Sequence, residues 1–187
     1  IYHQGHTSFG DVSDVIERNY SILVQRYKHM NEVGVIVPAY NSEETIEKTL
    51  ADILCQTYDN IKIIVIDDAS TDNTYNIVKK YQTKYTDKII LCRNENNQGV
   101  SASRNIGLSE IDKLGIKYVA YCDADDNWRS CHLINSMDRL LRGKADLVYS
   151  KPIYVSKGNY VAPNWYIPDE FDYEVLKDHN YIWISTV

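Results

Sequence analysis

Between residues 33 and 150 two hydrophobic periods take turns, and that alternation leaves few folds open to the chain. Apolar runs at 33–37, 61–66, 89–91 and 118–122 are too short for helices and read as strands. Between them, Ile46, Leu50, Ile53 and Leu54 form one apolar helical stripe, and Val78, Tyr81 and Tyr85 form another. Helices are also expected over 100–111 and 132–142, and a further strand over 147–149. Pro38 is expected to close the first strand. Asn41 with Glu44 reads as a capping box for the first helix, and Ser101 as a cap for the third.

Repeated strand-then-helix units with short connections predict an α/β fold, a mostly parallel sheet with helices on both faces. In such sheets ligands bind beyond the carboxyl ends of the strands, near a topological switch point. Three sequence features fall there: Pro38-Ala39-Tyr40-Asn41, Asp67-Asp68 and Asp123-Ala124-Asp125. Residues two apart in extended chain point the same way, so Asp123 and Asp125 can face one ion. Clustered carboxylates repel and call for a cation. An oxygen-only donor set suits Mg2+ or Mn2+ held together with substrate phosphates. Tyr40 offers a ring for a base to stack on, and Asp68 can accept hydrogen bonds from a base or a ribose. Gly99 stands ahead of a helix start, where backbone N–H groups favour anions, and Arg104 follows close by.

The rest of the sequence narrows the class further. Twenty basic against 26 acidic residues, a formal charge of −6, give no electrostatic case for nucleic-acid binding. No apolar run approaches the ~20 residues of a membrane span. Cys55, Cys92, Cys122 and Cys131 are too widely spaced for a zinc site or a disulfide framework, so reduced thiols in a cytoplasmic setting are expected, with Cys122 filling a strand position. After Ser150 the pattern changes to a hairpin over 153–161, then an irregular loop with Pro163, Trp165, Tyr166 and Pro168. The run 181–187 reads as the start of a strand, and 12–27 as a helix.

Together these motifs resemble the family 2 glycosyltransferases, enzymes of the GT-A fold that use nucleotide-sugar donors. The matching segments are 35–41, 64–74, 97–105 with Gly107, and 121–128. The resemblance implies that Pro38, Ala39, Tyr40, Asn41 and Asp68 line the pocket for base and ribose. It places Asp123 and Ala124 near the ribose and phosphates, with Arg104 beside them. Asp125, with Asp123, would hold a Mn2+ or Mg2+ ion on the diphosphate of a donor such as a UDP-sugar. A glycan or lipid-linked acceptor, an inverting transfer, a role in cell-surface polysaccharide synthesis and a place at the cytoplasmic face of the membrane follow as expectations. Many relatives carry Glu directly after the Tyr-Asn pair, where this chain has Ser42 and then Glu43.

No carboxylate matches the catalytic base of inverting members. Asp169, Glu170 and Asp172 read as a solvated loop, and the base is expected beyond Val187, in a chain truncated at its C-terminus. Residues 1–30, opening Ile1-Tyr2-His3-Gln4-Gly5-His6, read as a helical leader or as the end of a preceding transferase in a tandem polysaccharide synthase. Residues 31–187 are then the incomplete GT-A part. A non-catalytic nucleotide-sugar binder is the alternative. A Mg2+-binding receiver domain fits less well, because the acid pair follows the second strand and no later strand ends in a suitable Lys. A dinucleotide oxidoreductase would need GxGxxG where this chain has Pro-Ala-Tyr-Asn.

Overall fold

A computed structural model describes residues 32–143, 145–156, 159–161, 173–178, 182 and 185. Strands β1 (Val33–Ala39), β2 (Ile61–Asp67), β3 (Ile89–Arg93) and β4 (Tyr118–Tyr121) form one parallel sheet in the order β3-β2-β1-β4. Helices α1 (Ile46–Leu54), α2 (Thr74–Lys84) and α3 (Val100–Lys113) make the crossovers, and α4 (His132–Gly143) follows β4. The chain leaves β1 towards β2 and β3, then returns to the other side of β1 with β4. The switch point therefore lies between the carboxyl ends of β1 and β4.

Every residue of β1 is buried because both faces of the sheet are covered. Val33, Val35 and Val37 share a core with Ile46, Leu50 and Ile53 of α1, Val78 of α2 and Leu133, Ile134 and Met137 of α4. Ile36, Ile64 and Ile66 point to the other face and pack with Ile111 and Ile106 of α3. That second face is close-fitting. A Cβ added to Gly107 would stand 2.6 Å from Ile36 Cγ2 and 3.1 Å from Ile66 Cδ1. Cys122 lies one residue past β4 rather than within it, yet is buried in the first core as expected of a small apolar side chain, and all four cysteines are free thiols.

Four local expectations are corrected. Pro38 does not close β1 but lies within it, in register with Ile66. Ala39 O receives Asp68 N–H on the β2 side and Ile36 O receives Cys122 N–H on the β4 side. By alternation, Pro38 turns its missing donor towards β4, beyond the last β1–β4 pair, Ile36 with Tyr121, so no ladder bond is lost. Asn41 does not cap α1, whose N-cap is Thr45. It adopts a left-handed backbone (φ 47°) that Asn tolerates better than most residues. Ser101 lies inside α3, whose N-cap is Gly99 at φ 89°. Residues 147–149 form no strand, since the run is short and Leu147 is exposed.

The hairpin appears as β5 (Tyr154–Ser156) and β6 (Asn159–Val161), antiparallel, and a short helix α5 spans Tyr173–Asp178. The expected leader helix, the aromatic loop at 163–168 and its acids Asp169, Glu170 and Asp172 lie outside the described residues, as does nearly all of the strand expected over 181–187. Among the described residues no helix is long and apolar enough to cross a membrane.

Candidate donor site at the switch point

The loop after β1 and the loop after β2 are stitched together. Asn41 N–H donates to Ser70 Oγ at 3.0 Å, and Asn41 Oδ1 accepts from Thr71 N–H at 2.9 Å. Ser42 N–H donates to Thr74 Oγ1 at 2.7 Å. Glu43 N–H donates to Asp72 Oδ2 at 3.0 Å, while Glu43 Oε2 accepts from Asn73 N–H at 2.9 Å. Glu43 is thus occupied in joining two loops. Asp72 also accepts from Thr74 N–H at the start of α2. These bonds outweigh the burial that opposes its charge, and its carboxyl is held below the usual range.

Against this wall, a cleft of about 450 Å3 opens between the ends of β1 and β4. Pro38, Tyr40, Asn41, Ser42, Glu44, Thr45, Val100, Asp123, Ala124 and Asp125 line it. The sequence-predicted residues Pro38, Tyr40, Asn41, Asp123, Ala124 and Asp125 therefore meet in one place. Tyr40 is 49% exposed, an aromatic ring at the rim. Ala39, Asp68 and Arg104 are not on the cleft's lining. Ala39 is buried in the core. Ser42, Glu44, Thr45 and Val100 also line it without having been expected there. Glu44 carried a signal, but a capping pattern explained it equally well.

Asp68 is 3% exposed and engaged on both oxygens. Oδ1 accepts from Asn94 Nδ2 at 2.6 Å and Gln98 N–H at 2.9 Å, and Oδ2 from Gly99 N–H at 2.8 Å. Burial opposes its charge. The three hydrogen bonds, with a contribution from Ser103, outweigh that and hold the carboxyl below its ordinary range. Its neighbour Asp67 faces the other way. It is fully buried and stands 3.1 Å from Arg93 Nε, and the Arg93 guanidinium lies over the Tyr75 ring at 4.3 Å. The Asp67–Arg93 contact is an ion pair by distance without aligned hydrogen bonds.

Gly99 turns the chain into α3, and the helix carries Arg104 to the acidic loop, where Nη2 donates to Asp123 Oδ1 at 2.7 Å. Arg104 Nε is buried with no partner among the described residues. Asp123 N–H donates to Ser185 Oγ at 2.9 Å, and Trp128 Nε1–H donates to the Ser185 carbonyl at 2.9 Å. Ser185 gave no signal in the sequence, because it lies in a run that reads as a strand. Burial raises the Asp126 carboxyl and the charges of Asp125 and Asp123 add to this, while Ser185 draws it back. Burial also raises the neighbouring Cys122 thiol, which keeps it neutral. Among the described residues no three His, Cys, Asp or Glu side chains cluster as a metal cage. Asp123 and Asp125 instead suit a hard cation that takes one or two carboxylates from protein and the rest from phosphate and water.

A family profile described as Glycosyl transferase family 2 matches residues 34–181. The chain belongs to the family 2 glycosyltransferases. Among curated relatives of this family it is 34% identical over 158 residues to the Escherichia coli UDP-Glc:alpha-D-GlcNAc-diphosphoundecaprenol beta-1,3-glucosyltransferase WfaP, covering 84% of this chain and 60% of WfaP. It is 37% identical over 129 residues to a Borreliella burgdorferi cholesterol galactosyltransferase, covering 69% of this chain and 34% of that protein. The chain thus spans less than two thirds of the length of these relatives. Among solved structures, Staphylococcus aureus TarS 1–349 in complex with UDP-GlcNAc superposes with a TM-score of 0.59 at 28% identity, over 71% of this chain and 37% of TarS. A Pyrobaculum calidifontis mannosyltransferase in complex with GDP-Man and Mn2+ gives 0.51 at 25%, over 69% and 41%. The sheet order and these neighbours make the fold of this family 2 glycosyltransferase GT-A.

Proposed function

We propose that the protein transfers a sugar from a nucleotide-diphosphate donor, a UDP-sugar, to a hydroxyl acceptor, and that the cleft between β1 and β4 holds the donor. The observation that carries this reading is the meeting of Tyr40, Asn41, Asp123 and Asp125 in one cleft at the switch point. The UDP-GlcNAc bound in the TarS complex and the UDP-Glc in WfaP's name favour uridine, and WfaP's diphosphoundecaprenol-linked acceptor favours a glycan or lipid-linked acceptor in surface-polysaccharide synthesis.

Tyr40 stacks on the base, a contact worth roughly 1–3 kcal/mol in single-stranded nucleic-acid binders. Pro38 and Asn41 shape the base and ribose end. Asp125, with Asp123, would hold a Mg2+ or Mn2+ ion, which would neutralise charge on the leaving diphosphate. Arg104 orients Asp123 and adds positive charge nearby. Asp68 keeps the Gly99 turn in place behind them. In an inverting transfer the acceptor oxygen bonds to the anomeric carbon as the bond to the diphosphate oxygen breaks, and a base outside this cleft takes the hydroxyl proton.

Incubation of the whole protein with radiolabelled UDP-sugars, Mn2+ and a lipid-linked acceptor tests the reading. Release of UDP with sugar incorporation is expected. Donor binding without any transfer across acceptors would favour the non-catalytic binder.

A further inference from the structure

Helix α1 runs behind the acidic loop and buries a hydroxyl where its apolar stripe would accept an aliphatic side chain. Thr49 is 1% exposed, beside Ile46, Leu50 and Ile53. Its Oγ1 lies 2.9 Å from the Ala124 carbonyl and 3.0 Å from the Asp126 carbonyl, with the Thr45 carbonyl farther off at 3.4 Å. A hydroxyl has one proton to donate, so the two loop carbonyls share it. They belong to the residues immediately before and after Asp125. One buried atom thus grips the backbone on both sides of the carboxylate that faces the cleft.

The far end of the loop is fastened to the same part of the chain. Gln56, just past α1, donates from Nε2 to the Arg129 carbonyl at 2.8 Å and accepts Leu133 N–H on Oε1 at 3.0 Å. Thr57 N–H donates to the Ser130 carbonyl at 2.9 Å. The Asp125 side chain is exposed, so its placement depends on its backbone. The bond to Ala124 is buried and that to Asp126 partly so, and a buried carbonyl stripped of its donor is costly. A displacement of about 1 Å at a reacting or binding group can cost on the order of a hundredfold.

We propose that Thr49 is a positioning residue for Asp125, fixing the Ala124–Asp126 backbone so that the carboxylate meets the donor's metal ion beside Asp123. This rests on the reading of the cleft as the donor site. Val fills nearly the same volume without the hydroxyl, and Ser keeps the hydroxyl without the methyl.

Calorimetric titration of UDP into the whole protein across a series of Mn2+ concentrations tests the role. Thr49→Val should raise the Mn2+ needed for half-maximal UDP binding about tenfold while leaving metal-free UDP affinity unchanged, and Thr49→Ser should stay within about twofold of wild type. On an Asp125→Asn background Thr49→Val should add no further loss. A folded Thr49→Val with wild-type Mn2+ dependence, or losses that add in the double variant, would overturn the role. Should Thr49→Val not fold, Thr49→Cys, a weaker donor of similar volume, carries the same comparison. A wild type without Mn2+-dependent UDP binding removes the cleft reading and this inference together, whereas a responsive wild type beside an equally responsive Thr49→Val removes this inference alone.

Discussion

Arg104 on α3 reaches across the switch point and donates to Asp123 at 2.7 Å. The pair ties the helix that begins at Gly99 to the loop that leaves β4. It also offsets one of two carboxylates that share a cleft, leaving Asp125 the more available of the two. Both partners are partly exposed, so the pair contributes about 1 kcal/mol or less to stability. Its larger effect is expected in binding.

Arg104→Gln should therefore leave the melting temperature within a few degrees of wild type and weaken UDP binding roughly tenfold. Calorimetry alongside a thermal melt separates the two effects. A large loss of stability with unchanged binding would make Arg104 a structural residue.

Asp68 gives the opposite expectation. Its two oxygens hold Asn94, Gln98 and Gly99, and charged hydrogen bonds of this kind are worth about 1.5–3 kcal/mol each. Asp68→Asn puts an amide donor against backbone donors and should cost about 2 kcal/mol or more of unfolding free energy, read by urea titration. Because folding depresses this carboxyl, its contribution is present above the unfolded value and is lost as pH falls through the folded one. The gap between wild type and Asp68→Asn should narrow in acid.

Gly107 permits the close approach of α3 to β1 and β2. Gly107→Ala places a methyl 2.6 Å from Ile36 Cγ2, a fully buried side chain. Overpacking of this kind costs about 1–3 kcal/mol, beyond the gain in helix propensity. A lowered thermal midpoint is expected. A raised one would show that the helix can move outward freely.

His132 packs its ring against Trp128, centroids 4.5 Å apart, and burial lowers its pKa to about 4. Its Nε2 has no partner among the described residues. The folded state binds this proton less readily than the unfolded state, whose value is near 6.5. Stability from the neutral ring is therefore complete above pH 6.5 and is lost as pH falls towards 4, by up to about 3 kcal/mol. His132→Phe should flatten the stability profile between pH 6.5 and 4 relative to wild type. Parallel profiles would contradict the assignment.

Much of this arrangement was legible in the sequence because it depends on alternation. Four apolar runs with amphipathic segments between them fix a parallel sheet, and the sheet carries whatever follows each strand to one rim. That logic alone brings Tyr40, Asn41, Asp123 and Asp125 together. Local chemistry was harder to read. Asn41 looks like a cap, but its side chain serves the neighbouring loop at Thr71, a contact 30 residues away in sequence. Pro38 looks like a terminator, yet its missing donor falls where β4 has already ended. Thr49 was invisible because its hydroxyl partners lie 75 and 77 residues away. Asp67 and Asp68 are adjacent in sequence, but strand alternation sends one to Arg93 under α2 and the other to the Gly99 turn.

The most direct measurement is the affinity of the whole protein for UDP with and without Mn2+, in wild type and Asp125→Asn. Tight binding that needs the ion, and that Asp125→Asn reduces at least tenfold while the melting temperature holds, is the predicted result. UDP binding indifferent to both Mn2+ and Asp125 would contradict the account.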